Sequence, residues 1–229
     1  MQSTNKKLIA GTGMESTLDA ISLTNIAADL GADAALIIPP SFYKSEMRHE
    51  VLVEHYSKVA DESKIPIFIY NVPAFSGLDI SAETIIKLSE HPNIIGMKDS
   101  SSNVIKTSLI LAENPNFKIF CGTGGSLLPF LSIGAIGGVM ALANFAFNPL
   151  IKLFREFNNN NLLQAKEIQH SLVSINAAVT SKYGVPGLKY AMDKSGFIGG
   201  FPCKPLLPLS QDFREIIDKL LANLKKVDL

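Results

Sequence analysis

The chain has 229 residues, 47% hydrophobic and 18% charged, which is enough apolar material for a sizeable core in an ordinary globular protein. Lysine plus arginine and aspartate plus glutamate both number 21, so the formal net charge is zero. A balanced chain has no basic surplus for a phosphate backbone or an anionic membrane, which argues against nucleic acid and membrane as partners. The 2 cysteines, Cys121 and Cys203, form no CxxC pattern. That argues against a disulfide framework or a zinc cluster and fits a reducing compartment.

The N-terminus (MQSTNKK) leads straight into an apolar run, without the longer stretch and small-residue cleavage site of a signal peptide. Lys7–Gly11 (KLIAG) reads as a strand, and Thr17–Leu30 has helical spacing and stops at Gly31. Ala34–Ile38 is a second buried strand, ended by Pro39-Pro40, and Glu46–Ala60 is helical. Pro66–Tyr70 (PIFIY) is a strand, followed by the turn-rich Asn71–Gly77. Ser81 caps a helix running to about Ser89, with Glu83 in its first turn, where negative charge suits the helix dipole. Asn93–Lys98 is a strand, Asn103–Glu113 a helix, Phe117–Cys121 a strand, Leu127–Ile133 a helix and Gly138–Leu142 the last strand. From Asn148 onward the pattern is helical only, with breaks at Asn158–Asn161, Gly184–Pro186 and Phe197–Pro208.

No charge occurs between Cys121 and Ile151, a length that could cross a bilayer. Pro129, the glycines from Gly122 to Gly138 and Asn144 interrupt the run, so it reads as buried pieces of an α/β protein.

Apolar strands recurring every ~25 residues, each followed by a helix, mark parallel βαβ units. The first strand is not followed by Gly-x-Gly-x-x-Gly, so a dinucleotide-binding sheet lacks its fingerprint. The pattern predicts a partial (β/α) barrel over 1–147, then the last barrel helix and a helical C-terminal extension over 148–229. A full (β/α)8 TIM barrel needs eight units and ~250 residues. With about six strands counted, about two units are expected to be missing.

Barrel chemistry sits at the C-terminal strand ends. Lys98 ends the apolar Ile94–Met97 run, where partial desolvation would lower its pKa and favour the nucleophilic free amine. The alternative is a strand-end lysine paired with Asp99. Tyr70 either shuttles protons for carbinolamine formation or fills space at the rim. Tyr43, on a loop after Pro39-Pro40, either covers apolar surface or takes part in the chemistry. The amides of Gly122–Gly125, just before a helix, could hold a carboxylate. His49, His55, His91 and His170 lack metal-ligand spacing and read as surface or capping residues, with no metal site.

The stretches Ile69–Pro73 (IYNVP), Gly96–Ser101 (GMKDSS) and Gly134–Asn144 (GAIGGVMALAN) together resemble the dihydrodipicolinate synthase and N-acetylneuraminate lyase superfamily, over essentially the whole chain. The resemblance implies Lys98 as Schiff-base lysine and Tyr70 as proton-relay tyrosine. It implies that Tyr43 enters a neighbouring subunit's active site, as in a homotetramer, and that Ser100 lies near bound substrate. Gly122 and Val139 match positions whose backbone lines the pocket. Synthases typically carry an arginine where this chain has Phe75, and a phenyl ring cannot pair with a carboxylate. The lyase branch differs at Lys98-Asp99-Ser100. His91–Ser100, Gly137–Asn144, Asn176–Lys189 and Gly199–Pro205 are most similar to the 4-hydroxy-2-oxoglutarate aldolase branch.

The implied reaction is cleavage of 4-hydroxy-2-oxoglutarate to pyruvate and glyoxylate, with a 2-oxo acid as small-molecule partner and no cofactor beyond the lysine imine. Alternatives are a same-family lyase on another 2-oxo acid, or a truncated non-catalytic partner subunit. The resemblance also implies two N-terminal βα units ahead of Lys7–Gly11, carrying a Gly-[Ser/Thr]-[Thr/Asn]-Gly-Glu carboxylate motif. Gly11-Thr12-Gly13 looks like that motif but matches the next strand. The expectation is therefore an inactive or poorly active chain, cytoplasmic or mitochondrial in location.

Overall fold

A computed structural model describes residues 6–225; residues 1–5, on which much of the signal-peptide reading rests, lie outside it. The chain forms two compact units. One is the chain up to Phe120 together with Ile133–Ile136; the other is Cys121–Ser132 with the chain from Gly137 on.

In the first unit, β1 (Ile9–Gly11) pairs in parallel with β2 (Ala34–Ile37), β2 with β3 (Ile67–Asn71), and β3 with β4 (Ile94–Asp99). β5 (Lys118–Cys121) follows, so the strands of this unit keep chain order; the two-residue β6 (Gly137–Gly138) belongs to the second unit. The intervening helices are α1 (Thr17–Asp29), α2 (His49–Glu62), the short α3 (Pro73–Ser76), α4 (Ala82–Leu88) and α5 (Val104–Glu113). Three of them, α1, α4 and α5, start at polar caps. Ser16 accepts from the Asp19 amide at 3.4 Å, Ser81 from Thr84 at 3.2 Å, and Asn103 from Lys106 at 3.0 Å.

The core is the apolar filling between strands and helices. Ile37, Ile67, Ile69, Met97 and Ile119 from the strands meet Leu52, Tyr56, Ile85 and Ile110 from the helices. Each such side chain contributes roughly 1.5–3 kcal/mol by leaving water. Tyr56 is fully buried because its hydroxyl donates to the Ile37 carbonyl at 3.1 Å. Gly96 lets two strands close up: a Cβ there would stand 2.2 Å from the Lys118 carbonyl oxygen.

Several expectations change. The helix predicted from Glu46 begins at His49, after a 3-10 turn over Lys44–Glu46. The predicted strand Gly138–Leu142 shrinks to β6. The Val139 amide still donates to the Cys121 carbonyl at 2.9 Å, but Ala141–Asn144 then turns as a 3-10 helix, closed by the Asn144 side chain on the Ala141 carbonyl at 2.9 Å. His55 is no surface residue. The residue is 4% exposed, its Nδ1 is hydrogen-bonded to the Thr17 hydroxyl at 2.8 Å, and burial pushes its pKa down to about 4.

In the second unit, α6 (Leu127–Ser132) is followed by α7 (Phe147–Asn158), α8 (Leu162–Ala177), α9 (Gly184–Lys194) and α10 (Gln211–Lys225). The predicted break at Gly184–Pro186 is the first turn of α9, where proline is tolerated and Gly184 takes a φ of 55°. Tyr190 on α9 donates to the Asp218 carboxylate of α10 at 3.0 Å, and the Tyr183 and Phe213 rings stack at 4.6 Å. Among the described residues, no helix is long and apolar enough to cross a membrane.

Candidate active site

β3 and β4 run side by side in parallel, and their register sets Tyr70 directly beside Lys98. The Lys98 Nζ lies 4.1 Å from the Tyr70 ring centroid, over its face. Both side chains are half-buried. The Asp99 carboxylate goes elsewhere, as strand alternation requires. It is fully buried, with Oδ1 accepting from the Asn71 amide at 2.8 Å and the Ser101 amide at 2.9 Å, and Oδ2 accepting from the Ser101 hydroxyl at 2.9 Å. The expected alternative of a Lys98–Asp99 pair therefore does not form: Asp99 points away and is met by neutral donors.

Ser100 follows on the same strand end, and its amide donates to the Asn71 carbonyl at 2.8 Å. Tyr70, Lys98 and Ser100 are thus brought together at the ends of β3 and β4. Tyr43 is 68% exposed and its ring meets Phe42 edge-on at 5.0 Å. The loop carrying it is anchored by Glu15, whose carboxylate accepts from the Ser41 and Phe42 amides at 2.9 Å each. The Phe42 amide, with further help from Ser41, holds the Glu15 carboxyl below its ordinary pKa of 4.5. The Gly11-Thr12-Gly13 turn has no hydroxyl free for a carboxylate, because Thr12 is buried and bonded to the Thr24 hydroxyl at 2.7 Å.

In the second unit, Gly122 follows directly on the end of β5, and the Val139 amide bonds to the carbonyl of the preceding Cys121. The neighbouring Thr123–Gly125 turn is already engaged. The Gly124 amide donates to Asn176 Oδ1 at 3.1 Å, the Gly125 amide to the Thr123 hydroxyl at 3.3 Å, and Gln169 donates to the Gly124 carbonyl at 2.9 Å. Two of its amides are thus taken, Gly124 by α8 and Gly125 by the Thr123 hydroxyl, and neither is free for a carboxylate. Among the described residues, no group of three His, Cys, Asp or Glu is placed to hold a metal ion.

Sequence reasoning missed the polar cluster behind the strand ends: Asn71, Asp79, Asp99, Lys106 and Thr107. Its only trace in the sequence is polar residues at positions where a strand or helix should face the core, such as Lys106, 5% exposed on α5.

Parallel strands in chain order, each followed by a helix, with Tyr70 and Lys98 at their C-terminal ends, are the arrangement of the α/β-barrel enzymes. The family model for the dihydrodipicolinate synthetase family matches residues 2–224. The chain belongs to the dihydrodipicolinate synthetase family. It is therefore a carbon–carbon lyase, of a family whose chemistry runs through a lysine Schiff base and needs no external cofactor.

The chain is 35% identical over 218 residues to the 4-hydroxy-tetrahydrodipicolinate synthase of Caldicellulosiruptor saccharolyticus, covering 95% of this chain and 73% of that protein. It is 34% identical over 224 residues to the enzyme of that name from Methanococcoides burtonii, covering 97% and 75%. Among solved structures, the dihydrodipicolinate synthase of Acinetobacter baumannii complexed with pyruvate superposes with a TM-score of 0.89 at 30% identity, covering 97% of this chain and 76% of that one. The 4-hydroxy-tetrahydrodipicolinate synthase of Methylacidiphilum fumariolicum gives 0.88 at 31% identity, covering 96% and 74%.

Proposed function

We propose that the chain is a class I aldolase that cleaves 4-hydroxy-2-oxoglutarate to pyruvate and glyoxylate. The observation that carries the reading is the Lys98 amine held 4.1 Å over the Tyr70 ring at adjacent strand ends, with the nearest carboxylate in sequence turned away. The Lys98 amine adds to C2 of the substrate to give a carbinolamine. Loss of that hydroxyl as water leaves a protonated imine, and Tyr70 carries the protons. Swinging the flexible lysine stem from ring face to ring edge brings the amine to the phenol. The C4 hydroxyl loses its proton as the C3–C4 bond breaks, and the bonding electrons flow into the imine. Glyoxylate leaves, the enamine takes a proton at C3, and water releases pyruvate and the free amine. Ser100 is assigned to substrate binding. The exposed Tyr43 is assigned to a neighbouring subunit's active site in a homotetramer.

The substrate assignment rests on Phe75. It is 80% exposed on α3, at the place where synthases carry an arginine for the second substrate's carboxylate. The similarity to 4-hydroxy-tetrahydrodipicolinate synthases favours a second reading, formation of 4-hydroxy-tetrahydrodipicolinate. Borohydride reduction in the presence of pyruvate, read by mass at Lys98, tests the shared chemistry. Release of pyruvate and glyoxylate from 4-hydroxy-2-oxoglutarate tests the substrate. An adduct at another lysine, or none, overturns the reading.

A further inference from the structure

The residues just beyond Tyr70 and Lys98, namely Asn71 and Asp99, are also register partners. Because strand side chains alternate, they point away from the amine and the phenol, towards the helix side of the sheet. Both are fully buried. The Asn71 side-chain amide donates to Asp99 Oδ1 at 2.8 Å and to Asp79 Oδ1 at 2.9 Å, and its oxygen accepts from the Ile80 amide at 3.0 Å. The Asn71 main-chain carbonyl takes the Ser100 amide at 2.8 Å. Behind them, Lys106 on α5 forms a close ion pair with Asp79 and donates to the Ile80 carbonyl at 3.3 Å. One asparagine thus ties the end of β3 to the end of β4, to the segment before α4 and, through Asp79, to α5.

We infer that this Asn71–Asp99 pair, backed by Asp79 and Lys106, is the positioning device for imine formation at Lys98. The inference rests on the assignment of Lys98 and Tyr70 made above. Two physical effects follow from the arrangement. A slip of one residue between β3 and β4 would turn every side chain to the other face, so the buried amide–carboxylate bond pins the register that sets Lys98 beside Tyr70. The same bond, with the Ser101 donors, holds the Asp99 carboxylate on the rear face, where it cannot form an ion pair with the amine and draw it away from Tyr70. Misplacement by about 1 Å is enough to lower a rate by two orders of magnitude.

The test compares the wild-type chain with Asn71→Leu, Asp99→Asn and Ser101→Ala. The rate of borohydride-trapped adduct at Lys98 is followed against pyruvate concentration, with amide exchange measured at Tyr70 and Ser100. Asn71→Leu is expected to lower the saturating rate more than tenfold, leave the half-saturating pyruvate concentration within about twofold, and speed exchange at the strand ends but not at Ile37. Asp99→Asn keeps an acceptor for Asn71 and should recover most of the rate. Ser101→Ala removes the hydroxyl that fixes Asp99 and should slow trapping severalfold.

A folded Asn71→Leu chain with an unchanged saturating rate overturns the positioning role. If that variant does not fold, a Ser101→Ala rate equal to wild type overturns it. A wild-type chain that forms no adduct at Lys98 overturns the aldolase reading instead, and the positioning role falls with it.

Discussion

Lys98 lies over the face of Tyr70 rather than against its hydroxyl, with Nζ 4.1 Å from the ring centroid and the two residues paired in register. Ring and hydroxyl therefore have separable roles. Tyr70→Phe should keep the packing and lose the proton relay, slowing adduct formation by about 10²–10⁴-fold while the chain stays folded. Lys98→Met should give no adduct at any pyruvate concentration. Quench-flow trapping with mass detection checks both.

Phe75 is the substrate switch in the proposed reading. Phe75→Arg places a guanidinium on an exposed turn at little structural cost, since the ring it replaces is 80% exposed. The expected outcome is a gain in 4-hydroxy-tetrahydrodipicolinate formation and a fall in glyoxylate release, both followed by product chromatography.

His55 makes stability depend on pH. Its folded pKa of about 4 lies below the ordinary 6.5, so the unfolded chain binds more protons between those values. The neutral, buried ring leaves stability complete above pH 6.5 and progressively lower as pH falls towards 4. At about 1.4 kcal/mol per pH unit for one proton, the loss across that window is roughly 3 kcal/mol. Urea melts at pH 7 and pH 4.5 should show it, and His55→Gln should flatten that part of the pH profile.

The Glu15 carboxylate holds the Tyr43 loop through the Ser41 and Phe42 amides. Its depressed pKa means that this anchoring is present above the ordinary 4.5 and is lost as pH falls further. Glu15→Gln should speed amide exchange at Ser41 and Phe42 at neutral pH without changing exchange at Ile67. Unaltered exchange would remove Glu15 from that role.

Glycines in the sheet should differ sharply. Gly96→Ala drives a methyl group to 2.2 Å from the Lys118 carbonyl and should destabilise by about 1–3 kcal/mol or more. Gly11→Ala meets nothing within 4 Å and should be near neutral. Thermal melts of the two variants make the comparison.

The order of strands and helices, and the placing of Lys98 and Tyr70 at neighbouring strand ends, were legible in the sequence. Apolar period, capping residues and turn residues act over a few positions, so Gly31 and Ser81 mark helix ends without help from the rest of the chain. The tertiary structure alone decided which polar groups meet. Asn71 and Asp99 are 28 positions apart, Asp79 and Lys106 27, Thr17 and His55 38, and Gly124 and Asn176 52. No local periodicity encodes such pairs, because they arise only when strand register and helix packing bring distant segments together. For Lys98, the sequence placed an amine at a strand end. The fold determined that Asp99 turns away from it and that Asn71 holds Asp99 there.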